Sequence, residues 1–123
     1  MYEQQERDPS VRRFRLSESF IDNFRDRQVP WGPLGYVTFK RTYSRRLSEF
    51  DSGATGTEEW WQTCRRVIEG MFNMQKQHVF HLGLEWIDSK AQSTAKDAYE
   101  RLFNLKWTPP GRGLWMMGTK FVE

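Results

Sequence analysis

Apolar residues recur at helical spacing in two long stretches, and this constrains the fold more than any other feature of the chain. Trp60, Cys64, Val67, Ile68, Met71 and Phe72 fall at i, i+4, i+7, i+8, i+11 and i+12, which is one face of a helix. Thr57 is placed to cap this helix, with Glu58 and Glu59 in a first turn whose dipole favours acids. Ala91, Ala95, Ala98, Tyr99, Leu102 and Phe103 form a second stripe within residues 88–105, and its three alanines let a neighbouring helix approach closely. Pro109 and Pro110 end that pattern. Alternating segments are scarce, so the expectation is a mainly α chain with no sheet of more than two strands.

The other segments are shorter. Residues 1–15 read as a charged, flexible arm. Ser17 is a plausible N-cap for a helix to about residue 27, with Phe20, Ile21 and Phe24 on one face. Residues 30–35, Pro-Trp-Gly-Pro-Leu-Gly, read as a turn or extended loop. Residues 36–47 carry a Tyr-Val-Thr-Phe run of strand propensity, but Tyr36, Phe39, Tyr43 and Leu47 also fall near a helical stripe, and helix is the preferred reading. Residues 51–57 are a loop by composition. After Phe103 the chain enters a Pro-Pro-Gly turn, then the apolar run Trp115, Met116 and Met117, then Gly-Thr. Little chain follows to cover that run, so the ending at Glu123 reads as an interruption.

With 123 residues the chain forms one domain rather than two. Apolar residues are 37%, a low share, yet there are six Trp, nine Phe and four Tyr. Rings bury large areas, so the chain folds, and the composition suits a thin helical layer packed on something else. The net charge of +3 is mild, and the arginine pairs have acidic neighbours, as solvated helix faces do. One cysteine rules out an internal disulfide. No apolar run approaches the ~20 residues of a membrane span, and the polar start is no signal peptide, so the expected location is cytoplasmic.

Chemistry-bearing motifs are few. Cys64 lies on an apolar face and reads as a buried, unreactive thiol. His78 and His81 lack further ligands at usual spacing, so no metal site and no catalytic residue is assigned. Gly111-Arg112-Gly113 lacks the strand–turn–helix setting of a phosphate loop, although Thr108 and the backbone after Pro110 offer donors to an anion.

Residues 31–45 read Trp-Gly-Pro-Leu-Gly-Tyr-Val-Thr-Phe-Lys-Arg-Thr-Tyr-Ser-Arg, and residues 109–119 read Pro-Pro-Gly-Arg-Gly-Leu-Trp-Met-Met-Gly-Thr. Together with residues 59–74 and 90–105 they resemble, in order and spacing, the N-terminal region of the monomeric, adenosylcobalamin-dependent ribonucleoside-triphosphate reductases. The resemblance implies class II ribonucleotide reduction. In that chemistry a cysteine thiyl radical inside a ten-stranded α/β barrel abstracts the substrate's 3′-hydrogen, and a cysteine pair supplies the reducing equivalents.

It also implies three regions: the arm at 1–15, a helical N-terminal domain at 16–106, and the start of a truncated barrel at 107–123. In the family the first redox cysteine follows shortly after Gly-Thr, and Cys64 matches none of the family's cysteines. The radical cysteine, the redox pair and the adenosylcobalamin site are therefore expected in a missing downstream part, without which this chain is inactive. A split gene, an intein junction or a truncated frame would each produce such a chain. The implied partners are a ribonucleoside triphosphate, the downstream catalytic part and a thioredoxin-type reductant, with no membrane and no nucleic acid. Thr108 matches a threonine that contacts substrate phosphates in the wider family. The competing readings are a small helical module that binds single-stranded nucleic acid, its rings and arginines sharing one surface, or a protein-interaction domain.

Overall fold

The structure is a computed structural model that describes residues 11–109 and 111–119. Five α-helices follow in order: α1 Glu18–Asp22, α2 Pro33–Thr42, α3 Trp60–His81, α4 Asp88–Phe103 and α5 Gly111–Met116, with a 3-10 turn at Leu47–Glu49. Among the described residues the only β pairing is an isolated antiparallel bridge between Arg46 and Thr57, so the mainly α expectation holds.

Helix α3 is the axis of the layer. Trp60, Cys64, Val67, Ile68 and Phe72 are buried along the face the periodicity marks. Helix α4 packs against it through Ala91 and Ala95, whose small side chains permit the approach, and through Tyr99, Leu102 and Phe103. Fully burying a side chain such as Leu102 or Ile68 contributes about 1.5–3 kcal/mol. Phe24 closes the end of the α3–α4 pair, edge-on to Tyr99 at 4.9 Å and to Phe103 at 5.0 Å. A second ring cluster forms where Trp31 and Phe39 meet Trp60, at centroid distances of 4.9 Å and 5.3 Å from it.

Four boundaries differ from expectation. Helix α1 spans only five residues, and the hydroxyl of its N-cap Ser17 makes no capping bond. Helix α2 begins inside the expected loop and stops before Leu47, because Pro33 takes the first helical turn, where its missing N–H costs nothing. The cap of α3 is Glu59 and not Thr57: Glu59 and Gln62 bond each other's backbone in a capping box. Glu58 therefore lies outside the first turn, and it is buried.

The fourth difference concerns the expected arm. Residues 1–10 lie outside the description, but Phe14 is 1% exposed and belongs to the core. Residues 14–17 run between α3 and α4 as an extended segment whose backbone is bonded by helix side chains. Asn73 Oδ1 accepts from Phe14 N at 2.5 Å, and Asn73 Nδ2 donates to Phe14 O at 3.1 Å. Glu69 Oε2 accepts from Leu16 N at 2.8 Å, and Gln92 bonds both Ser17 N and Arg15 O. Backbone groups of a buried segment need such partners, and here they come from three side chains rather than from a sheet.

Candidate functional site

The segment after α4 is positioned by two devices, one at each end. Helix α4 ends in a Schellman turn, in which Leu105 N donates to Leu102 O and Lys106 N donates to Arg101 O. Leu105 occupies the left-handed position with φ 61°, where glycine is usual. Trp107 then folds back, its indole N–H donating to Ala98 O at 3.2 Å. Thr108 follows, exposed and outside any helix, and among the described residues its hydroxyl makes no hydrogen bond.

At the other end, α5 is held by Arg66. Nη2 donates to Leu114 O at 2.9 Å, and Nη1 donates to Trp115 O at 3.2 Å and to Met117 O at 2.6 Å. The remaining donors go to Glu58, from Nε at 2.8 Å and from Nη2 at 3.0 Å, so all five guanidinium N–H groups are used. Glu58 is satisfied in turn, because its Oε1 also accepts from Arg45 N and from the buried Thr63 hydroxyl, each at 2.9 Å.

The last four carbonyls of α5 are all bonded. Leu114 and Trp115 are taken by Arg66, Gly113 by Met117 N at 3.0 Å, and Met116 by Thr119 through both N and Oγ1. A short helix rich in glycine has poor intrinsic stability, and this set of bonds supplies what its sequence lacks.

Below Arg66 the backbones touch. A Cβ on Gly70 would lie 2.6 Å from Gly118 N, and Gly118 itself has φ +80° with Arg66 O against its open side. Only glycine fits both places. Thr119 is consequently 2% exposed. Beside this junction opens a cleft of about 810 Å³ whose wall includes Arg13, Arg15, Arg65, Arg66, Glu69 and Thr119.

The other candidates fall apart from this junction. Cys64 is fully buried, and burial pushes its thiol well above the ordinary value, with Glu58 adding to the effect. His78 and His81 are exposed at the end of α3, and among the described residues no three His, Cys, Asp or Glu side chains stand together. Trp60, Phe72, Tyr99 and Phe103 are in the core, which removes them as stacking platforms for bases. Trp115 is 44% exposed with the Arg45 guanidinium 4.3 Å from its ring centre. Sequence reasoning missed the Glu58–Arg66 pair and the Asn73 and Glu69 bonds to residues 14–16. A run of polar residues on the back of a helix, against the grain of solvated faces, is the one signal it had.

Residues 16–119, which run from the buried strap at Leu16 to the latched Gly-Thr exit, match the ribonucleotide reductase alpha domain. The chain belongs to the ribonucleotide reductase alpha-domain family. It is 34% identical over 116 residues to a probable adenosylcobalamin-dependent ribonucleoside-triphosphate reductase of Dictyostelium discoideum, covering 93% of this chain and 15% of that one. It is 38% identical over 114 residues to the adenosylcobalamin-dependent enzyme of Euglena gracilis, covering 90% and 15%, and 38% identical over 107 residues to that of Lactobacillus leichmannii, covering 86% and 14%. The crystal structure of a B-12 dependent (class II) ribonucleotide reductase aligns with a TM-score of 0.73 at 34% identity, covering 88% of this chain and 14% of that one. The chain spans about 15% of the length of the curated relatives it matches, and its fold corresponds to their N-terminal helical region.

The relatives are by name adenosylcobalamin-dependent. The described residues do not fit that cofactor: in the cleft beside the α5 junction Arg65 and Glu69 are already paired with each other along α3 at 3.0 Å, so that wall is charged and engaged.

Proposed function

We propose that this chain supplies the N-terminal helical layer of an adenosylcobalamin-dependent ribonucleoside-triphosphate reductase, the enzyme class that makes 2′-deoxyribonucleotides by thiyl radical chemistry. The observation that carries the reading is the alignment with a class II reductase at a TM-score of 0.73 and 34% identity. The chain has one cysteine, and it is buried, whereas the reaction needs a radical thiol and a redox pair. Those groups, and the residues that hold adenosylcobalamin, come from beyond these 123 residues.

The layer's own work is positional. Arg66 fixes the end of α5 and the Schellman turn fixes the start of the 106–109 segment, so Thr108 is presented from a braced loop. Its exposed hydroxyl donates to a phosphate oxygen of the substrate, a ribonucleoside triphosphate. A thioredoxin-type dithiol restores the redox pair, no nucleic acid takes part, and the enzyme works in the cytoplasm.

The test is assembly. The chain is mixed with a class II reductase that lacks its own N-terminal layer, and the mixture is run on a sizing column. A one-to-one complex is expected. Separate elution at micromolar concentration would overturn the reading.

A further inference from the structure

We propose that the face formed by the 3-10 turn and α5, with the exposed rings of Phe50 and Trp115 on either side of the Arg45–Glu49 pair, is where this layer seats on the remainder of the reductase. The proposal rests on the reductase reading and names the surface through which that assembly is made. Phe50 is 50% exposed and Trp115 is 44% exposed. Rings bury large areas when they pack, and two of them left open on one face mark a contact surface.

The face is continuous. Arg45 donates to Glu49 from Nε at 2.9 Å and from Nη2 at 2.6 Å, and its guanidinium lies over the Trp115 ring. Phe50 follows Glu49 directly, and both line the cleft beside the α5 junction together with Leu47 and Thr119. One side chain, Arg45, thereby joins the 3-10 turn to α5.

That side chain also shows that the face is unfinished. Arg45 is buried, yet its Nη1 has no hydrogen-bond partner among the described residues. Buried donors are rarely left in that state. Glu49 already balances the charge, so the missing acceptor is a neutral oxygen, a main-chain carbonyl rather than a second carboxylate. Trp115 can make way for it. The indole N–H of Trp115 makes no hydrogen bond among the described residues, so the ring can turn from Arg45 into an apolar pocket of the partner and open Nη1 to that carbonyl.

The occupant follows from where the family match stops. That match runs to residue 119, and the matched region is 15% of the Dictyostelium discoideum and Euglena gracilis enzymes, at their N-terminal end. The rest of a relative's chain continues from the Gly-Thr exit, and Thr119 stands in the wall of this same cleft. Exposed apolar residues near the far end of α3, such as Leu84, have no such connection.

The experiment adds the 123-residue chain to the class II reductase that lacks its own N-terminal layer. It reads the dissociation constant together with hydroxyl-radical footprints of the free and bound chain. Trp115 and Phe50 are expected to lose most of their labelling on binding, while Leu84 keeps its own. Trp115→Ser and Phe50→Ser, at exposed positions, are each expected to weaken the complex by about tenfold or more, and Leu84→Ser by less than about twofold. Arg45→Lys, which keeps a charge beside Glu49 and removes Nη1, is expected to weaken it by about threefold or more. Failure of the wild-type chain to bind overturns the assembly reading and this face with it. A complex that forms but leaves Trp115 and Phe50 labelled, or that Leu84→Ser weakens as much as Trp115→Ser does, overturns the face alone. So does pairing of two copies of the chain through Trp115, which would assign the face to a second copy. An affinity unchanged by Arg45→Lys overturns the carbonyl contact.

Discussion

Arg66 and Glu58 form a two-pronged ion pair at 2.8 Å and 3.0 Å with their side chains only 5% and 3% exposed. Neither charge is left with an unused donor or acceptor facing apolar surroundings, which is the condition under which a buried pair is tolerated. Its structural consequence is that α3, the Arg45 backbone and the end of α5 share one node.

Removing one partner strands the other. Arg66→Met is expected to cost about 3–5 kcal/mol, measured by urea unfolding. The double change Glu58→Leu with Arg66→Met is expected to cost less than the sum of the single changes, because it removes the stranded carboxylate. Additive costs would show that the pair is not coupled.

Gly70→Ala tests the backbone contact. The new Cβ would meet Gly118 N at 2.6 Å and Cα at 2.7 Å, both rigid atoms, so residues 111–119 must move away from α3. Overpacking of this kind costs about 1–3 kcal/mol. Hydrogen exchange is expected to accelerate at Met117 and Thr119, with α4 amides unaffected; uniform acceleration would indicate global loosening instead.

The thiol of Cys64 and the phenol of Tyr99 give the pH dependence. Burial is the main cause raising both, and Cys64 adds to the rise at Tyr99. In the unfolded chain these groups ionise near their ordinary values of 9.0 and 10.0, while the folded chain keeps both protons. The unfolded state then binds fewer protons, so stability is complete below pH 9 and falls as pH rises beyond it. Tyr99→Phe is expected to flatten the decline above pH 10, at the cost of the 2.9 Å bond to Trp61 O. For the same reason a thiol reagent is expected to label Cys64 far more slowly in the folded chain than in urea.

How much of this was legible in the sequence depends on the range of the interactions. The faces of α3 and α4 repeat within a few residues, so Trp60, Cys64, Tyr99 and Phe103 were placed correctly from spacing alone. The cap of α3 was misplaced because Glu58 looks like a first-turn acid, and its true partner, Arg66, lies eight residues further on within α3, beyond the i+3 and i+4 spacings at which helical pairs are read. The Asn73–Phe14 bonds join residues 59 apart, which no local pattern reveals. Helix α5 is stabilised by a side chain 48 to 51 residues away, so its glycine-rich sequence gave no helical signal. Thr108 was selected by resemblance, and its geometry shows an exposed hydroxyl on a braced loop.

If that hydroxyl holds a substrate phosphate, Thr108→Val in the assembled enzyme is expected to cost about 1–3 kcal/mol in kcat/KM while leaving the complex intact. Unchanged kcat and KM would remove the assignment.

Deoxynucleotide formation from a ribonucleoside triphosphate tests the central proposal most directly. The 123-residue chain, the remainder of a class II reductase, and the two together are assayed with adenosylcobalamin and a dithiol reductant. Turnover is expected only from the combination, because the chain's one cysteine cannot serve three roles and the remainder lacks its helical layer. Turnover by the isolated chain, or a combination that forms a complex yet makes no deoxynucleotide, would contradict it.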